Sequence, residues 1–152
     1  MKDLNKFINE SLKDIILYHV SREQINKIED SPLFLFDNTK ESNALYKNTK
    51  YESSAYQYKL IFDKSINILN YKDSKEYFDE DTEADLCSNP TTEELKSICD
   101  KIESKSKADG ITIMDYSQVD YNEDTESIII FHPNKFIKNI KKIKWKVYHN
   151  IY

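Results

Sequence analysis

One glycine, Gly110, is present among 152 residues, and that scarcity constrains the chain more than any other feature. A phosphate-cradling turn needs glycine where the backbone must approach an anion closely. Neither a G-x-G-x-x-G turn nor a G-x-x-x-x-G-K-[ST] loop is therefore possible. A G-x-S-x-G nucleophile elbow is excluded on the same ground. Any nucleotide this chain binds must be held by strand ends and side chains. The length suits one domain, and 39% hydrophobic residues suffice for a modest core.

Other classes fall away on composition. The longest apolar runs, at residues 15–18, 33–36 and 128–131, are far short of the roughly 20 residues a bilayer span needs. No membrane association is expected. The opening Met1-Lys2-Asp3-Leu4 lacks a secretory signal pattern. Cys87 and Cys99 are too few for a disulfide scaffold and lack C-x-x-C spacing, so reduced thiols and a cytoplasmic location are expected. The net charge of −5 is unevenly spread. Residues 72–87 hold seven acids against Lys72 and Lys75, while residues 134–152 hold six lysines and no acid. Such blocks are solvated surface by default; the acids are otherwise a face for a basic partner, the lysines a phosphate-facing edge.

Patterning predicts mixed short elements. Residues 3–14 read as an amphipathic helix, followed by a strand at 16–20. The S-x-x-Q box at Ser21 predicts a short helix to about residue 28, and Leu33-Phe34-Leu35-Phe36 a buried strand. Thr39 is expected to cap a helix through about Asn48. Strands are expected at 54–62 and 66–69, then an irregular, mobile acidic excursion at 70–90. Thr91 opens a second capping box before a helix bearing Leu95, Ile98, Cys99 and Ile102. Strands follow at 110–114 and 127–131, and a lysine-faced last strand at 142–148. Without strict βαβ alternation, this is a single α+β domain with split, mostly antiparallel sheets flanked by short helices.

Chemistry is sparsely signalled. His19, His132 and His149 have no i, i+4 partner and no Cys or acid at ligand spacing, so no metal site is expected. An EF-hand reading of residues 115–126 fails for lack of the central glycine. Nucleic-acid binding would rest on the aromatic-interleaved lysines of 142–148, a lesser reading in a chain of pI near 5.3.

The order of segments is more informative. Ile16-Leu17-Tyr18-His19-Val20-Ser21 resembles the "YHG/YHTS" opening of the ADP-ribosyltransferase superfamily. The Phe-rich strand and the helix holding Ala44 and Tyr46 are similar to its second block. Tyr56-Gln57-Tyr58-Lys59-Leu60-Ile61-Phe62 with Asn67-Ile68-Leu69 resembles its strand pair. Ala108-Asp109-Gly110-Ile111 resembles its "G-y-D-G-v" turn, and Glu126-Ser127-Ile128-Ile129-Ile130-Phe131-His132-Pro133 its closing strand. The layout is similar to that of small phage anti-CRISPR ADP-ribosyltransferases, whose "G-V-S-V-x-D" strand has its counterpart in Gly110-Ile111-Thr112-Ile113-Met114-Asp115.

The resemblance implies the His-Tyr-carboxylate branch: an enzyme that takes NAD and modifies a macromolecular acceptor, a protein being expected, in the host cytoplasm if phage-encoded. It implies that His19 holds a ribose hydroxyl, that the adjacent Val20 backbone pairs with the carboxamide with Ser21 beside it, and that Phe36, Tyr46 or Tyr51 stacks on nicotinamide. The reaction passes through an oxocarbenium-like state that a carboxylate must stabilise. The family's glutamate falls four residues before the closing aromatic, which here is Ser127. Glu126 is one position earlier and faces the other side of the strand unless a bulge re-aims it. Asp115 is the preferred carboxylate, with Glu126 the alternative. The rival expectations are an inactive module of the same fold that engages a basic partner through its acidic segment, and a nucleic-acid-binding protein that uses the lysine edge.

Overall fold

A computed structural model describes residues 13–115 and 125–144. Among the described residues, six strands form two antiparallel three-stranded sheets in an α+β arrangement. In chain order they are β1 Ile15–Ser21, β2 Leu33–Leu35, β3 Tyr56–Phe62, β4 Gly110–Asp115, β5 Thr125–Ile130 and β6 Ile137–Lys142. The first sheet has order β1-β3-β6 and the second β2-β5-β4. One antiparallel pair joins them: Tyr18 and Phe36 exchange backbone hydrogen bonds of 2.8 Å each way. Four α-helices lie among the described residues: α1 Thr39–Glu52, α2 Tyr71–Ser74, α3 Glu80–Cys87 and α4 Thr92–Ser106. Among the described residues, no helix is long and apolar enough to cross a membrane.

Alternation along β5 divides the core in two. Ile128 and Ile130 turn toward the first sheet and pack with Leu17, Leu35, Tyr58, Leu60 and Phe62. Ile129 and Phe131 turn the other way and pack with Ile111 and Ile113 of β4 against Leu86 of α3 and Leu95, Cys99 and Ile102 of α4. The second sheet is thus covered on both faces, which explains its near-continuous isoleucine run. Gly110 belongs to this packing. A Cβ there would lie 2.8 Å from the Ile129 carbonyl oxygen, so glycine is required by close strand approach rather than by an unusual φ.

Several expectations need correction. No helix follows Ser21: its Oγ accepts the Glu23 amide at 3.1 Å, a local turn that uses capping chemistry without a helix. Asn38, not Thr39, caps α1, and the helix runs on to Glu52. The expected strand at 66–69 is reduced to one parallel bridge, Ile68 to Gly110. The acidic stretch 70–90 is not irregular. Asn70 and Asp79 accept the Asp73 and Thr82 amides at 2.8 Å each, capping α2 and α3. Acids in the first turn of α3 suit the positive end of the helix dipole, so the same acids that suggested irregularity favour a helix start. A strand that pattern reading did not place, β6, runs from Ile137 to Lys142 with Ile137 and Ile140 half-buried. Most of the expected helix at 3–14 and of the expected strand at 142–148 lies outside the described residues.

Candidate functional site

Antiparallel pairing dictates what happens where the sheets part. Backbone polar groups of alternate residues point to the same edge, so those of Val20, like those of Tyr18, face β2. At Tyr18 they meet Phe36; the next pairing, Val20 with Phe34, does not form. His19 intervenes instead, its Nδ1 2.7 Å from the Phe34 carbonyl oxygen. A carbonyl only accepts, so Nδ1 carries the proton and Nε2 is left as an acceptor. Burial drives the His19 pKa below the usual imidazole value, partly opposed by the Phe34 hydrogen bond, which holds the ring neutral.

The parting opens a cleft of about 390 Å³. Its walls include His19, Val20 and Ser21 from β1, Phe34 from β2 and Phe36 just beyond it, and Leu45 and Thr49 from successive turns of α1. Leu86, Asn89 and Pro90 close it from the end of α3. Asn89 has φ of +58°, the left-handed conformation that stops a helix, and Pro90 follows in the usual place beyond it. Arg22 stands at the rim, exposed. It is the chain's single arginine among 22 basic residues.

The expected site residues divide clearly. His19, Val20, Ser21 and Phe36 come together in the cleft. Tyr46 is half-buried on α1 and does not line it, and Tyr51 is 92% exposed. Glu126 pairs with Met114, is exposed, and lies on the same face of β5 as Ile128 and Ile130. Asp115 ends β4 opposite Thr125. Ser127 pairs with Ile113, and continuing the β2–β5 register places it beside Phe36. It is 1% exposed, and its Oγ has no hydrogen-bond partner among the described residues.

Pattern reading missed Arg22, Leu45, Thr49 and Asn89; the solitary arginine was the available signal. It also missed Glu83, whose carboxylate accepts the Tyr71 hydroxyl and the Met114 amide at 3.2 Å each. With the Cys87 Sγ to Met114 carbonyl contact at 3.3 Å, this clamps α3 to the end of β4. His132 also has acids near it, though far in sequence. Its Nδ1 lies 2.6 Å from Asp30 Oδ1 and its Nε2 2.9 Å from Glu103 Oε1. Burial alone lowers its pKa, but the two carboxylates outweigh that and raise it.

The acids of the 72–87 segment stand exposed on α2, α3 and the turn between them, apart from half-buried Glu83. Lys138, Lys141, Lys142 and Lys144 are likewise exposed, Lys138 within 3.2 Å of Asp14 and Lys142 over the Tyr56 ring.

No family model and no curated protein matches the chain. A solved structure, the crystal structure of an anti-CRISPR protein, is similar to it at a TM-score of 0.46 and 13% identity, over 86% of this chain and 96% of that one.

Proposed function

We propose that the protein transfers ADP-ribose from NAD to a macromolecular acceptor, a protein being the expected class. The observation that carries this reading is the parting of the sheets at Val20. A strand edge that offers one N–H and one C=O side by side suits a planar carboxamide, which needs an acceptor and a donor. Phe34 and Phe36 supply aromatic wall for a cationic nicotinamide ring. Neutral His19 presents Nε2 as the acceptor for a ribose hydroxyl. Arg22 is a planar fork at the rim, suited to a pyrophosphate. This division fits the absence of a glycine-rich loop.

The chemistry asks little more. The bond between C1′ of the ribose and the nicotinamide nitrogen breaks, and nicotinamide leaves with both electrons. A nucleophile on the acceptor forms the new bond to C1′ and gives up its proton. Charge on the oxocarbenium-like ribose is stabilised by a carboxylate, which we assign to Asp115 because Glu126 alternates onto the other side of β5.

The test is nicotinamide release and labelling of lysate proteins with labelled NAD. The expected result is release lost in Asp115→Ala and retained in Glu126→Ala, with NAD-induced thermal protection lost in His19→Ala. Arg22→Ala is expected to weaken NAD binding about 10- to 100-fold, the worth of a charge-assisted hydrogen bond. If NAD neither raises the melting midpoint nor is consumed, the enzyme reading fails. A second reading then leads: a non-catalytic module. It is favoured by Ser127 standing where the resemblance places a glutamate, and by the exposed acids of α2 and α3, which suit a basic partner.

A further inference from the structure

At the opposite end of the second sheet, the fold places His132 between carboxylates from two distant segments. Asp100 and Glu103 are three residues apart on α4 and share a helix face. One oxygen from each and one nitrogen of His132 lie within 4.8 Å of one another. Asp30 comes from the connection between β1 and β2 and holds the other ring nitrogen at 2.6 Å. Metal-binding imidazoles commonly hand their second N–H to a carboxylate in this way, which fixes the ring orientation before the ion arrives. Asp100 is exposed, and Glu103 and His132 are half-buried, so solvent can complete a coordination shell.

We propose that Asp100, Glu103 and His132 form a binding site for a divalent first-row cation, zinc being the best fit, with Asp30 orienting the imidazole. One nitrogen and two carboxylate oxygens suit zinc; calcium takes six to eight oxygens. The Nε2 proton leaves to solvent as the Nε2–metal bond forms, and Glu103 changes from accepting that N–H to binding the ion. A tetrahedral ion with bonds near 2.1 Å spaces its ligand atoms roughly 3.4 Å apart. Closing from within 4.8 Å requires the side-chain ends to move by about 1 Å, with the backbone in place. The ion ties α4 to the end of β5 and, through Asp30, to the connection that leads into β2. The site is separate from the cleft: none of Asp30, Asp100, Glu103 and His132 lines it. It is independent of the NAD reading.

The experiment uses the whole chain stripped with a chelator, then titrated with zinc and cobalt(II). One equivalent of cobalt should bind and give the visible bands of a low-coordinate N/O site. Zinc at a hundred times its dissociation constant should raise the melting midpoint by roughly 5–10 °C. Asp100→Asn alters an exposed side chain and leaves the fold intact, yet should weaken cobalt binding at least tenfold, as should His132→Asn. Asp30→Asn should weaken it 10- to 100-fold through loss of ring orientation. Absence of stoichiometric cobalt binding overturns the proposal. So does binding that survives unchanged in both Asp100→Asn and His132→Asn, because the ion then sits elsewhere.

Discussion

His19 joins two demands in one side chain. It completes the contact between the sheets through the Phe34 carbonyl, and it keeps a neutral acceptor nitrogen at the cleft. Its neutrality has a consequence for stability. In the unfolded chain the ring takes up a proton below about pH 6.5, whereas burial suppresses uptake in the fold. Below that pH the unfolded state binds more protons, so stability falls as pH drops. Urea midpoints at about pH 7.5 and 5.5 should show a larger acid-side loss in the unaltered protein than in His19→Gln, and equal losses would refute it. His132 does not add to that loss, since its two carboxylates favour the protonated ring. Gly110 makes a complementary residue-scale case. Alanine there meets the Ile129 carbonyl oxygen, and Gly110→Ala should cost about 1–3 kcal/mol in denaturant titration. The glycine was legible as exceptional, but its reason was not, because a clash with Ile129, far along the chain, has no local signature.

At the scale of elements, α3 shows what composition conceals. Its eight residues include four acids, Glu80, Asp81, Glu83 and Asp85, a density that reads as irregular surface. The helix forms because Asp79 caps it, its first turn favours negative charge, and Leu86 buries against the second sheet. Glu83 then bonds the Met114 amide, so α3 connects the cleft wall to the end of β4. Asp79→Ala should cost about 1 kcal/mol through loss of the cap, measured by chemical denaturation. If the enzyme reading holds, it should also reduce transfer by loosening Leu86 and Asn89 at the cleft. The strands were more readable, since β1, β3, β4 and β5 each begin or end within about two residues of where alternation placed them. The turn after Ser21 and the strand at Ile137–Lys142 were not. A capping box starts a helix only if the following residues find a face to bury. In the candidate site, contiguous residues 19–21 and Phe36 were readable. The contribution of α1 came from Leu45 and Thr49 instead of Tyr46 and Tyr51, because a helix's inner face is set by what it packs against.

For the whole molecule, the question is whether two sheets joined, among the described residues, by one backbone pair unfold together or separately. The Tyr18–Phe36 bridge alone is two hydrogen bonds, worth about 1 kcal/mol each, too little to couple them. The shared core does the coupling. Leu35 of the second sheet is fully buried in the cluster that holds Leu60 and Phe62 of the first, with Ile128 and Ile130 from β5 between them. Opening either sheet exposes the inner face of the other. Leu35→Ala and Leu60→Ala, although on different sheets, should therefore each cost about 2–5 kcal/mol and lower the denaturant midpoint. The slope of the transition should stay unchanged, as for one cooperative unit. Separate transitions, or a slope that falls in one variant alone, would mean that the sheets melt independently. The cleft depends on the same coupling, because its two walls, Val20 on one sheet and Phe34 on the other, keep their spacing only while that common core holds both sheets in place.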